Sequence, residues 1–315
     1  MTVSEAFDKI RETGVDKETI YTCYVLSRFN RILGLVSAKD LMLAKDQSVT
    51  VETLMTTNVI TVSTLMDQEE VAKQLSKYNF LALPVVDRDN RMVGIITFDD
   101  AMDVMEEEAT EDITIMSAQT PYEKSYLRTS PWELFKHRVP WLMLLMISAT
   151  FTGLIITSFE NALAQLVILT AFIPMLMDTG GNCGSQASTL VIRGMAVGEI
   201  ELGNWFSVLW REFRVGVLVA IALTTVNFIR MRYFSAVKYA DAAQEGKVEL
   251  IVTISLFCTI ICAKLIGCTL PMAAKRLHAD PALMASPMLT TIVDALSLTI
   301  YFTIAGALIT FTPVA

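Results

Sequence analysis

Residues Arg28–Met42 read RFNRILGLVSAKDLM, and sixty positions later Arg88–Met102 reads RDNRMVGIITFDDAM. Arg28/Arg88, Asn30/Asn90, Arg31/Arg91, Gly34/Gly94, Asp40/Asp100 and Met42/Met102 coincide at that single offset. A repeat of this length marks one structural unit used twice. Each copy reads as strand, turn at the Asn-Arg pair, second strand, then helix. Apolar strands precede the turns at Tyr24–Leu26 and Leu83–Val86, and amphipathic helices precede those at Ser4–Thr13 and Asp67–Tyr78. Each copy also holds a glycine, two apolar residues, a hydroxyl and then an aspartate three positions on: Gly34–Ser37–Asp40 and Gly94–Thr97–Asp100. A hydroxyl followed three residues later by a carboxylate caps a helix.

The second copy runs on into an acidic stretch. From Met92 to Glu123 there are nine acids and no Lys or Arg. Read as a helix, it places Asp100, Asp103, Glu107 and Glu111 on one face. Residues 1–138 carry 23 Asp/Glu against 15 Lys/Arg, whereas residues 139–315 carry ten of each, so the net charge of −8 belongs to the first part. Nucleic acid needs a basic face and is excluded as the main partner. Like charges at helical spacing repel, and a divalent cation relieves them. Mg²⁺ suits a loose acidic face because it uses few carboxylates and keeps its waters. The plainer reading of the same run is a solvated helix face.

Outward from the repeat the chain turns apolar. Over 315 residues 53% are hydrophobic and 18% charged, with a mean hydropathy of +0.49. A bilayer core takes about 20 apolar residues as helix. Five segments qualify: Val139–Phe159, Ala162–Met177, Val215–Ile229, Val248–Ala274 and Met284–Thr310. Ser130-Pro-Trp-Glu133 reads as a capping box that opens the first helix, and Trp132 and Trp141 suit the membrane interface. No cleavable signal precedes the repeat, which places the N-terminus in the cytoplasm and, with five spans, the C-terminus outside. Lys136, Arg138, Lys275 and Arg276 agree with that topology, while Arg230, Arg232, Lys238 and Lys247 do not. The five cysteines are odd in number and several lie in apolar runs, where packing explains them.

Asp294 is the one charged residue of its span. A carboxylate at that depth faces a protein or water-filled interior, and Pro281 and Pro287 upstream free backbone carbonyls. In the second span Pro174 interrupts the helix, and Asp178-Thr-Gly-Gly-Asn-Cys-Gly-Ser-Gln186 follows. Gly180, Gly181 and Gly184 allow close backbone approach, and Asn182, Gln186 and exposed carbonyls offer neutral oxygens. Neutral oxygens beside a carboxylate suit a partly hydrated hard cation, and the same small residues suit helix packing. Lys264 and Glu249 also lie in an apolar span, Lys264 to snorkel or pair with a carboxylate.

The hydroxyl–Asp repeat resembles a tandem pair of CBS modules. That resemblance implies adenine-nucleotide contacts at Ser37, Asp40, Thr97 and Asp100, with ATP as a ligand. The whole order resembles the MgtE family of magnesium channels. The residues that carry it are Pro174–Gln186, Asp280-Pro-Ala-Leu, Thr290-Thr-Ile-Val-Asp294 and Tyr301-Phe302. The fold class expected is an α-helical membrane protein with five transmembrane helices, preceded by an α/β cytosolic tandem CBS domain. Its parts are a first module at 1–53 with a truncated start, a second at 54–116 with the acidic helix, a connecting "plug" helix at 117–136 and a pore domain at 137–315. The resemblance implies a homodimer in a bacterial plasma membrane. Its pore is lined by the second and fifth spans, with Pro174, Gly180, Gly181, Asn182, Gly184, Gln186 and Thr290 as lining and Asp294 recognising Mg²⁺. It places a cytosolic Mg²⁺ sensor on Asp100, Asp103, Glu108, Glu111 and Asp112, closing the pore when Mg²⁺ is high. Other divalent cations, such as Mn²⁺, are open. The family's acidic N-terminal domain has no counterpart here, and Ser297 stands where the family has a small glycine. No catalytic motif is present, so the chain reads as a passive channel and not an enzyme. The alternatives are a secondary transporter exchanging a divalent cation for Na⁺ or H⁺, and a nucleotide-sensing membrane protein.

Overall fold

The computed structural model describes residues 1–122, 124–160, 167–234 and 242–308. Ala162, Lys238, Glu123 and Thr310, which figure in the readings above, lie outside them. The chain divides into two compact units, Met1–Thr110 and Glu111–Ala315.

The first unit realises the repeat. Helix α1 (Val3–Thr13) opens on a capping box between Thr2 and Glu5, and strands β1 (Thr22–Leu26) and β2 (Ile32–Ser37) follow as an antiparallel hairpin. Short helices α2 (Ala38–Leu43) and α3 (Val51–Leu54) complete the first copy. Their core is Val3, Ala6, Val36, Leu41 and Val51. In the second copy β3 (Val62–Ser63) pairs parallel with β4 (Ala82–Val86), which pairs antiparallel with β5 (Met92–Thr97). Helix α4 (Gln68–Tyr78) packs Val71, Ala72 and Leu75 onto Val62, Leu83 and Ala101. Asn79 ends α4 in the left-handed conformation, a role asparagine fills because its short polar side chain tolerates that region.

The sequence repeat is also a backbone repeat. Asn30 and Asn90 both turn at φ 59°, and the hairpin-closing bonds Ser27 N–H to Arg31 O and Asp87 N–H to Arg91 O measure 2.8 and 2.9 Å. Bonds join the copies: Tyr24 Oη donates to Ala82 O at 3.1 Å, Met92 N–H donates to Asn30 O at 2.7 Å, and Leu35 and Thr56 exchange N–H to O bonds of 2.9 and 2.8 Å.

Helix α5 (Phe98–Met116) carries the acidic run. The expected connecting helix at 117–136 forms only in its last part. Ala118 takes a left-handed turn at φ 55°, and Pro121 follows. Both oppose continuation of a helix. The segment is instead a strap folded onto α6 (Pro131–Ser158). Thr120 donates to His137 O through its N–H (3.0 Å) and its hydroxyl (2.9 Å), and Arg138 Nε donates to Gln119 Oε1 at 3.1 Å. Ser130 caps α6 as expected, but Glu133 turns away from the capping box to pair with Lys124 at 2.8 Å.

Beyond α6 stand α7 (Ile173–Ala196), α8 (Trp205–Phe234), α9 (Ala242–Arg276) and α10 (Ser286–Leu308). Helix α9 is central, packed against α7, α8 and α10. Leu176, Val252, Leu256, Ile260, Val293 and Tyr301 are among the fully buried residues at its interfaces. Helix α6 touches α10, where Phe159 stacks on Phe302 at 4.9 Å, and has no buried residue of its own. Among the described residues four helices are long and apolar enough to cross a membrane, in Pro131–Ser158, Leu202–Tyr233, Gln244–Arg276 and Pro281–Leu308. Helix α7, rich in glycine, hydroxyl and amide residues, is not one of the four.

Candidate functional site

Helix α7 corrects the reading of the glycine-rich segment. Pro174 does not interrupt a helix; it sits in the first turn of one, where its missing N–H costs nothing. The helix then runs unbroken through Asp178–Gln186, so the carbonyls there belong to the helical ladder and are not free ligands. Gly180, Gly181 and Gly184 are buried, whereas Pro174, Asp178, Asn182 and Gln186 are exposed. The exposed four form one stripe because residues four apart stack on one side of a helix; Gly180 and Gly184 lie on the other side, and Gly181 borders the stripe. Glycine is tolerated mid-helix here because the face it leaves bare is filled by neighbours.

Opposite this stripe lies α10. Pro287 sits in its first turn, where the missing N–H deprives no carbonyl of that helix of a partner, and the Pro287 carbonyl accepts the hydroxyls of Thr290 (3.0 Å) and Thr291 (3.1 Å). Ser188 of α7 donates to Met284 O at 3.0 Å and ties the two elements together. Between α7 and α10 opens a cleft of about 430 Å³ lined by Ile173, Pro174, Met177, Asp178, Gly181, Asn182, Thr290 and Asp294. Of the expected pore residues it gathers Pro174, Gly181, Asn182, Thr290 and Asp294. Gly180 and Gly184 lie behind it in the helix contact, and Gln186 lies along the stripe beyond it.

Two carboxylates from different helices therefore share one cleft, with an amide and a hydroxyl beside them. Such charges repel in a low-dielectric setting unless a cation stands between them. Asp178 is the cleft carboxylate that the sequence reading leaves out of its candidate residues. The signal was present in the i, i+4 spacing of Pro174, Asp178 and Asn182, which reads as one face once the segment is taken as helix.

The other membrane charges are placed differently. Lys264 of α9 pairs with Glu212 of α8 at 3.8 Å, with side chains 4% and 14% exposed. Glu249 is buried, and its Oε1 has no hydrogen-bond partner among the described residues. On α8 and α9, Arg230 donates to Asn227 Oδ1 at 2.9 Å and Arg232 pairs with Glu245 at 3.0 Å. Of the charges that ran against the expected topology, Arg232 thus meets a carboxylate and Arg230 a neutral amide.

The acidic helix gathers less. Asp103, Glu107 and Glu111 are exposed; Glu108 accepts from Gln68 Nε2 at 2.8 Å, and Asp100 accepts from Thr97 Oγ1 at 2.8 Å. Among the described residues no three His, Cys, Asp or Glu side chains converge closely enough to hold a metal ion. The hydroxyl–Asp pairs act as caps. Ser37 Oγ accepts from Asp40 N–H at 3.0 Å and donates to Asp40 Oδ2 at 2.6 Å, and that second bond, with one from Ser37 N–H to the same oxygen at 3.2 Å, holds the Asp40 carboxyl below its ordinary pKa.

Comparison with known proteins bears on both units. The profile of the MgtE divalent cation transporter family matches residues 173–304, and that of the CBS domain matches residues 51–107. The magnesium transporter MgtE of Thermus thermophilus is 36% identical over 311 residues, 98% of this chain and 66% of that protein. The Bacillus subtilis magnesium transporter MgtE is 35% identical over 308 residues, again 98% and 66%. The chain thus spans 66% of the length of these relatives. Among solved structures, the cytosolic domain of the Mg²⁺ channel MgtE in complex with ATP is 44% identical, covering 33% of this chain and 42% of that one, with a TM-score of 0.32.

Proposed function

The chain belongs to the MgtE family, and from that premise we propose that it carries Mg²⁺ passively across a bacterial plasma membrane through the cleft between α7 and α10. The observation that supports this reading is the pairing of Asp178 and Asp294, on separate helices, within one cleft. Both carboxylates lie inside the stretch, residues 173–304, matched by the divalent cation transporter profile. A hydrated Mg²⁺ gives up water reluctantly, so the carboxylates, the Asn182 amide and the Thr290 hydroxyl act on it through its shell. Ile173 and Met177 supply apolar wall that leaves the ion no competing ligand. An inside-negative potential drives entry with about 2.3 kcal/mol per charge per 100 mV, doubled for a divalent ion, so no coupled hydrolysis is required.

In this proposal α7 serves as the fifth span, packed against the four apolar helices. Two copies then bring two such clefts to a common axis. The acidic α5 serves as the cytosolic brake. Its carboxylates do not converge within one chain, so a sensing role needs a second acidic surface, which a homodimer supplies. Mg²⁺ between the two surfaces draws them together and closes the path. ATP at the capping pairs of the CBS copies is a subsidiary element, supported by the resemblance alone.

Uptake into proteoliposomes tests the reading. With an inside-negative potential and no Na⁺ or proton gradient, Mg²⁺ enters wild-type vesicles, and Asp294→Ala abolishes entry. Uptake that requires a Na⁺ or proton gradient would replace the passive path with an exchanger. Unchanged uptake by Asp294→Ala would remove the cleft from the ion path.

A further inference from the structure

The walls of the cleft meet at Gly180. A methyl group built there would stand 2.8 Å from Thr259 Cγ2, 2.9 Å from Ser297 Oγ and 3.0 Å from Val293 Cγ1. No real side chain sits so close, so α7 lies against α9 and α10 at a separation that glycine alone permits. Thr259, Ser297 and Val293 are each 0% exposed, which leaves them no space to retreat into. The same crossing continues at the next residue, where a methyl on Gly181 would meet Thr290 Cγ2 at 3.0 Å. Gly181 and Thr290 are also cleft lining. The contact behind and the opening in front are two sides of one helix crossing.

The registers make the link direct. Asp178 stands two residues before Gly180 on α7. On α10, Val293 immediately precedes Asp294, and the Ser297 hydroxyl donates to Val293 O at 2.6 Å. The atoms that press on Gly180 therefore belong to the turn of α10 that carries the cleft carboxylate. Thr259 turns its methyl to Gly180, and its Oγ1 is buried with no hydrogen-bond partner among the described residues.

We infer that Gly180, Thr259 and Ser297 act as a spacer that sets the distance between the Asp178 and Asp294 walls, and with it which divalent cation the cleft admits. The inference rests on the reading of the cleft as the cation path. Mg²⁺ holds a tight octahedral shell with bonds of about 2.0–2.1 Å, whereas Ca²⁺ accepts looser shells at about 2.3–2.6 Å. Carboxylate walls held at one separation distinguish the two by fit and by how much of the shell each surrenders. A close-packed contact answers an added methyl by moving apart.

The test is paired Mg²⁺ and Ca²⁺ uptake into proteoliposomes by wild type, by Gly180→Ala, and by Gly180→Ala combined with Thr259→Ser and Ser297→Ala. Gly180→Ala is expected to move the Mg²⁺:Ca²⁺ uptake ratio toward Ca²⁺ by roughly tenfold, the change that about 1.4 kcal/mol produces. The combined variant removes two of the three opposing atoms and should bring most of the preference back. Folded Gly180→Ala protein with less total uptake but an unmoved ratio would mean the contact only holds the helices together, and would overturn the spacer. If Gly180→Ala does not fold, Thr259→Ser with Ser297→Ala alone decides. Loosening the contact from the other side must also shift the ratio, and an unchanged ratio overturns the inference. Wild-type vesicles that take up neither ion would sink the cation path and the spacer together, whereas uptake with an unmoved ratio sinks the spacer alone.

Discussion

Helix α5 and the cleft between α7 and α10 both concentrate negative charge, and they do so in opposite ways. Helix α5 has many carboxylates on one element, most of them exposed, and among the described residues no three of them converge on one point. The cleft has two, on two helices, brought to one opening. Charge count would rank α5 first. Convergence ranks the cleft first, because two charges facing one volume in a low-dielectric setting make a cation's presence matter far more than charges each facing water. What the difference teaches is that a helix alone cannot build a cation site from its own surface. Its side chains radiate, and a second element must bring the opposing ligands.

The sharpest way to break that comparison is to remove one charge from each side of it. Asp178→Asn should cut Mg²⁺ uptake by at least roughly a hundredfold, the scale expected when one electrostatic group at a transfer site is lost. Glu107→Gln should leave the basal flux measured without cytosolic-side Mg²⁺ unchanged. Equal losses would mean convergence is not what counts.

Next in size is the buried pair Lys264–Glu212, where two helices bring opposite charges together. Lys264→Met leaves Glu212 unpaired in the interior and should destabilise the membrane unit by about 3–5 kcal/mol. Adding Glu212→Gln should recover most of that, as read by thermal unfolding in detergent. A single variant as stable as wild type would show that the pair is hydrated in the membrane.

A smaller effect is expected on α5 itself. Neutralising Asp103, Glu107 and Glu111 together relieves like-charge repulsion worth a few tenths of a kcal/mol per helical pair. Proteolysis across 92–122 should then become insensitive to millimolar Mg²⁺, whereas in the wild-type chain Mg²⁺ slows it. Equal cleavage of the wild-type chain with and without Mg²⁺ would reduce α5 to a solvated face.

The smallest concerns the join between the two repeat copies. Burial pushes the Tyr24 hydroxyl up to about 12, and its proton is donated to Ala82 O. Below about pH 10, the ordinary tyrosine value, folded and unfolded chains are both neutral there and the contribution is fully present. Between that value and 12 the unfolded chain ionises first, so stability falls as pH rises. Unfolding followed by tyrosinate absorbance should show this loss in wild type and not in Tyr24→Phe.

Much of the repeat was legible in the chain itself. The matched Asn-Arg turns, the hydroxyl–Asp caps and the amphipathic helices before each hairpin are local features, and Asn30 and Asn90 adopt the same left-handed turn. The connector was less legible. Apolar and polar residues between Ser117 and Ser130 permit a helix, and it is Ala118's turn and the bonds from Thr120 and Gln119 to α6 that fold it back. Helix α7 was misread because glycine and proline lower helix propensity, while the contacts that repay them come from α9 and α10, remote in sequence.

By itself the amino-acid sequence determined the doubled module, the apolar lengths, the helix caps and the position along the chain of every carboxylate. Those follow from periodicity and from bonds between residues a few positions apart. Only the tertiary structure decided that Asp178 joins Asp294, that Gly180 and Gly184 face the helix contact, and that Lys264 meets Glu212. Each of those outcomes depends on which helix face packs against which. That choice is made by shape complementarity between distant segments, and no single stretch of the chain carries it.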